Sequence, residues 1–147
     1  MTTFVLHGEQ GRRLTIDVHG YERESAQDPY DANWLRCSVD LDLERFRGAV
    51  DASFTTQDFA RFLSELDQIV RGDARAASFQ TMEEALSIRV EVDCAGRAVV
   101  AGTLQEIDAG GSVLSYSIEI DLSFLQRSHG ELKRIVAEFP ERVTSSS

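Results

Sequence analysis

The chain has 147 residues, the size of one ordinary domain and enough to bury a core without metal or disulfide staples. Aliphatic and aromatic residues make up 42% of it and charged residues 27%, which excludes a disordered chain, and no apolar run approaches the roughly 20 residues of a membrane-spanning helix. Its 25 acidic against 15 basic residues give a net charge of −10, a surface that repels phosphate backbones and anionic membranes and favours basic partners.

Nucleic acid and membrane are therefore not expected as partners, while the plainest use of such charge is solubility. Met1-Thr2-Thr3-Phe4 has neither a basic region nor a long apolar stretch, so no secretory signal is expected and the cytoplasm is the expected location. Cys37, at an inward strand position, and Cys94, in a hairpin loop, lack C-x-x-C spacing, which fits two reduced thiols in a cytosolic protein.

Along the chain, Phe4 and Leu6, then Leu14, Ile16 and Val18, alternate with polar residues, the period of strands with one buried face. A three-residue loop, Glu9 to Gly11, sets Leu6 opposite Leu14 and Phe4 opposite Ile16, with Gly11 at the left-handed position. Gly20 to Ala32 is polar, carries the Asp28-Pro29 turn signal and reads as the longest loop. Strand three turns Leu35, Cys37, Val39, Leu41 and Leu43 inward. Arg36, Ser38, Asp40, Asp42 and Glu44 take the other face. Strand four follows with Phe46, Val50, Ala52 and Phe54 inward, and pairing Leu43 with Phe46 sets Asp42 against Arg47.

Thr56 is the expected cap of a helix reaching about Arg71, with Phe59, Phe62, Leu63, Leu66, Ile69 and Val70 on its apolar face and Gly72 just past its end. After a connector and a short Ser78-Phe79 stretch, Leu86, Ile88, Val90 and Val92 alternate. Cys94-Ala95-Gly96 then sets Val92 against Ala98, Val90 against Val100 and Asp93 against Arg97. Val99, Ala101 and Thr103 on the reverse side predict a central strand covered on both faces. Beyond Asp108 to Gly111, a long strand points Leu114, Tyr116, Ile118, Ile120 and Leu122 inward. Ser128-His129-Gly130-Glu131 has the spacing of a capping box opening a last helix through Leu132, Ile135, Val136 and Phe139, which Pro140 stops.

These elements predict an α+β domain over residues 1–142, with about seven to eight strands in antiparallel hairpins, two amphipathic helices and a disordered tail from 143 to 147. The order is four strands, a helix, three or four strands, a helix. It suggests a duplicated unit, and Cys37–Asp42 is echoed by Tyr116–Asp121, although alternating strands echo one another cheaply and the weight falls against true duplication.

No catalytic set emerges. His7, His19 and His129 share no metal-ligand spacing, so structural or surface roles outweigh metal binding or general-base work, and no metal or cofactor is expected. Cys94 beside Asp93 is in the wrong electrostatic setting for a nucleophile. No G-x-S-x-G, P-loop, G-x-G-x-x-G or H-E-x-x-H motif occurs, and the acids fall on outward strand positions and helix backs, where a solvated face puts them. Tyr30 and Trp34 are either core anchors or interface hot spots, with core anchor the better reading.

Gly20-Tyr21, the Tyr30-Asp31-Ala32-Asn33-Trp34-Leu35 hexad, the helix ending near Arg71-Gly72, the Ser78-Phe79 stretch and the closing Phe139-Pro140 together resemble the WapI-type immunity protein family, over about Phe4 to Pro140. The sharp part is the hexad, which marks the fold more than a binding surface. One departure is Phe46-Arg47, where the family pattern carries a tryptophan. The resemblance implies a small cytoplasmic bacterial protein that neutralises a polymorphic, contact-dependent toxin, whose toxic C-terminal domain is often a nuclease, and it implies no catalytic residues.

An inhibitor of a nuclease competes with a polyanion for a basic cleft, and outward carboxylates are suitable mimics of phosphates. The expected partner is thus a protein, a basic toxin C-terminal domain, met by an acidic face drawn from Asp40, Asp42, Asp51, Glu91, Asp93, Glu119 and Asp121. Two other classes compete: a small cytosolic enzyme using a carboxylate pair, marked by a deep pocket with inward acids, and a self-associating structural module. Nothing in the sequence fixes the oligomeric state.

Overall fold

The computed structural model describes residues 1–24, 29–107 and 111–142, with only the backbone of Pro29 and Tyr30. The side chain of Tyr30, Asp28 of the expected turn, Asp108 to Gly110 and the tail from Val143 lie outside the described residues. Among the described residues, eight strands form two four-stranded antiparallel sheets, each followed by a long helix. The first sheet runs β1 (Thr2–His7), β2 (Arg13–Tyr21), β3 (Trp34–Asp42), β4 (Arg47–Thr55), with a short α1 (Pro29–Ala32) before β3 and α2 (Thr56–Arg71) after β4. The second runs β5 (Ala76–Phe79), β6 (Leu86–Val92), β7 (Arg97–Gln105), β8 (Val113–Asp121), and α3 (Leu122–Glu138) closes it. No helix among the described residues is long and apolar enough to cross a membrane.

Period-two alternation and loop parity set the registers. Leu6 pairs with Leu14 and Phe4 with Ile16 across the Glu9–Gly11 turn, where Gly11 has φ 75°. Val90 pairs with Val100 and Val92 with Ala98. Asp42 pairs with Arg47, and the turn between them manages without glycine because Glu44 takes φ 77° while its N–H donates to Asp42 Oδ1 at 3.0 Å. Gly102 has a packing reason: it lies between Ile88 and Tyr116, and a Cβ there would stand 1.9 Å from the Ser87 carbonyl oxygen, the acceptor of the Tyr116 hydroxyl at 2.8 Å.

The inner faces of both sheets and the apolar stripes of α2 and α3 form one buried cluster, from Phe4 through Leu35, Phe54 and Val90 to Ile135. At its centre the rings of Phe54, Phe59 and Phe62 surround Phe79, with centroids 5.1 to 5.6 Å from it. Each helix crosses to the other sheet: α2 packs against β5, α3 against β1, and the helices pack on each other.

Both strands so covered are sheet edges, whose outward N–H groups need partners. Glu65, the tenth residue of α2, accepts from Ser78 N at 3.2 Å. Glu131, the tenth of α3, accepts from Val5 N at 3.0 Å. The architecture therefore repeats, with β4 and α2 matching β8 and α3. The Cys37–Asp42 and Tyr116–Asp121 echo joins β3 to β8, strands in different places in their sheets, and so does not follow this repeat.

Several expectations need correction. The last helix begins at Leu122, directly from β8 and capped by Asp121, whose carboxylate accepts from Ser123 N. Ser128 and Glu131 are not its capping box, and Leu122 is helical. Ser128 is buried mid-helix with its hydroxyl donating to Val5 O at 2.5 Å, so the pair grips β1 instead. Thr55, not Thr56, caps α2, in a reciprocal box with Asp58. Phe46 keeps its register but is 67% exposed, because the β3–β4 turn overhangs the core. The reverse face of β7 is not covered by the described residues: Val99 is 39% exposed and Ala101 and Thr103 half-buried. The Gly20–Ala32 stretch holds the end of β2 and α1.

Candidate functional site

Outward strand positions put charges on the two solvent-facing sheet surfaces. On the first sheet, Asp17 and Asp51 flank Ser38 across three strands, and Asp40 lies one pair further along, between Thr15 and Ala49. Asp42 ends this face. Glu44's N–H, donating to its carboxylate, and then Arg47 and Arg13, at 3.4 and 3.9 Å, hold Asp42 below the usual carboxylate range. On the second sheet, Glu91 and Glu119 flank Val99, and Asp121 stands opposite Arg97. Asp93 sits in the β6–β7 turn.

The seven acids thus fall into two groups, and they differ in what they already do. Asp42 is bridged by two arginines, Glu91 pairs with Arg89 at 2.6 Å, Asp93 accepts from the N–H groups of Ala95 and Arg97, and Asp121 caps α3. The carboxylates of Asp40, Asp51 and Glu119 are exposed and make no hydrogen bond or ion pair among the described residues. Asp17 shares the first face and was not among the seven; its outward parity on β2 was the available signal. It accepts from Thr3 Oγ1 at 2.6 Å.

None of the seven points into the core. Asp58 is the buried acid among the described residues, and its carboxylate is taken up by Thr55 N and by Arg61 at 2.9 Å. The three histidines stand on separate elements: His7 beside the ring of Phe124, His19 in a β2 bulge against Ser38, and His129 of α3 against Asp67 of α2 at 3.1 Å. Among the described residues, no three His, Cys, Asp or Glu side chains gather as a metal would need. Burial pushes the Cys37 thiol up to about 12, while Cys94 is exposed beside Arg75.

The hexad ties the C-terminal segment into the first half of the domain. Asn33, fully buried, donates to Arg142 O and accepts from Arg142 N at 2.7 Å, and its carbonyl takes the first N–H of α2. The Arg142 guanidinium reaches the carbonyls of Arg23, Glu24 and Ala32 and lies 3.8 Å from the ring centroid of Tyr21. Trp34 is half-buried at the start of β3. Arg142 was missed because its partners are more than a hundred residues away in sequence.

The model of the immunity protein WapI-like family matches residues 5–140. No curated protein matches the chain. Among solved structures, the crystal structures of Trypanosoma bruciei MRP1/MRP2 are similar at 12% identity with a TM-score of 0.52, over 94% of this chain and 84% of that one. At that identity the likeness is one of fold alone.

Proposed function

The chain belongs to the WapI-like immunity protein family, and from that membership we propose that it binds a bacterial toxin domain and neutralises it by occupancy, with no turnover of its own. The family match over residues 5–140 carries this reading. Outward acids on a net charge of −10 suit a basic partner, and a nuclease, which must present a basic cleft to its polyanionic substrate, is the toxin this charge fits best. In this reading the carboxylates of Asp40 and Asp51, on one sheet face, stand in for phosphates, and Asp42, Glu91, Asp93, Glu119 and Asp121 add to the field that steers the encounter. The cytoplasm, where a contact-delivered toxin would act, is the proposed place of action.

Co-expression tests it directly. A cognate toxic C-terminal domain, sought in the neighbourhood of this chain's gene, should arrest growth alone and be tolerated with the chain present, and the two should purify as a stoichiometric complex. Failure to protect would remove immunity. Raising salt should slow association more than it speeds dissociation. Binding unchanged by salt would remove phosphate mimicry and leave immunity standing.

A further inference from the structure

Among the described residues, seven large hydrophobic side chains stand exposed, and four of them line one seam. Phe46 and Val113 line a hollow of 300 Å³ where the start of β4 meets the β7–β8 hairpin. Ile107 lines a second, of 380 Å³, with Asp51 and Glu83. Met82 lines a third, of 570 Å³, with Glu84 and Gln105. Neighbouring hollows share stretches of chain, with Val50 and Asp51 successive on β4, Gln105 through Ile107 successive from the end of β7, and Met82 through Glu84 successive between β5 and β6.

Scattered exposed apolar groups are ordinary, but a run of them rimmed by charge has the layout of a protein interface, with anchors at the centre and a polar border. The border here is acidic. Asp51, Glu83, Glu84 and Glu106 line the hollows against Arg36 and Arg47, and Arg47 already bridges Asp42 at 3.4 Å. Two copies meeting through this seam would set like charges together on molecules of net charge −10, and an anionic membrane would be repelled in the same way. The occupant that fits is a basic protein surface with an apolar recess.

Resting on the immunity reading above, we propose that this seam docks the toxin domain: Phe46 and Val113 enter an apolar recess, while Asp51, Glu83 and Glu106 meet the lysines and arginines around it. Of the seven outward acids, Asp51 alone belongs to the seam. The anchor is an aromatic residue whose parity assigned it to the core.

The test uses the full chain and a toxic C-terminal domain sought in the neighbourhood of its gene, with binding followed by biolayer interferometry. Phe46→Ser combined with Val113→Ser should weaken the complex by about 100-fold or more, as loss of central anchors does. Phe124→Ser combined with Val99→Ser, exposed apolar residues outside the seam, should change it by less than about threefold. Glu83→Lys, in a surface loop, should slow association by about tenfold with an unchanged melting temperature, which keeps the test sound if the double variant fails to fold. Full affinity in the Phe46 and Val113 variant, with growth protection intact, would overturn the seam and spare immunity. So would a wild-type dimer that this variant dissolves without loss of toxin binding. Wild-type chain that fails to bind the toxin at all would overturn the immunity reading and the seam with it.

Discussion

The two halves solve one problem with different chemistry. Each lends its helix to the other half's edge strand, and in each the tenth helix residue, Glu65 or Glu131, takes the outward N–H of that strand. Three positions earlier they part. Phe62 on α2 packs its ring 5.4 Å from Phe79 of β5 and 6.1 Å from Phe4 of β1, whereas Ser128 on α3 donates to the carbonyl of Val5. The edge N–H must be satisfied in both halves, because a buried unpaired donor costs free energy whatever surrounds it, while the neighbouring position is free to supply ring packing or a second hydrogen bond.

The comparison breaks most readily on the aromatic side. Phe62→Ala removes a fully buried ring packed between Phe79 and Phe4, and urea unfolding should show a loss of about 3–5 kcal/mol. Next come the shared carboxylates. Glu65→Ala and Glu131→Ala should each cost about 1–3 kcal/mol by stranding a strand N–H, and near-equal losses are expected if the two clamps are equivalent. A loss confined to Glu131 would mean that the hydroxyl of Ser128, on the same strand residue, had made that clamp the dominant one. Smaller still are the helix caps: Thr55→Ala and Asp121→Ala should each lower stability by about 1 kcal/mol, read by thermal melting.

The two cysteines, one in each half, sharpen the contrast with little effect on stability. Burial raises the Cys37 thiol to about 12, so at pH 8 it stays protonated and shielded, while exposed Cys94 is accessible. A maleimide should modify Cys94 in the native protein and Cys37 only after denaturant is added. Rapid modification of both would show that the first sheet opens locally, unlike the packing seen around Cys37.

Hairpin structure was legible in the sequence for a short-range reason. Side chains alternate with a period of two, so the length of a loop decides which residues meet, and the pairs Phe4 with Ile16, Val90 with Val100 and Asp42 with Arg47 follow. Phe46 shows where parity stops: it gives the face but cannot tell whether the core extends beneath the strand's end. The acids were legible as outward, yet the carboxylates already committed to caps and bridges, such as Asp93 and Asp42, look in sequence like those left free.

Ser128 and Glu131 mark the same boundary more sharply. Their spacing suits a helix cap, and only the tertiary structure puts Val5, 123 and 126 residues away, between them. Most strands, the registers of the β1–β2, β3–β4 and β6–β7 hairpins, the two amphipathic faces and the negative charge follow from local sequence, because these depend on neighbours within a hairpin or a helical turn. Tertiary structure decided which helix covers which sheet edge, that Arg142 ties the C-terminal segment to Asn33, and where Phe46 emerges beside Val113. Those outcomes depend on how two buried sheet faces meet, and the chain does not record that distance and angle in any local pattern.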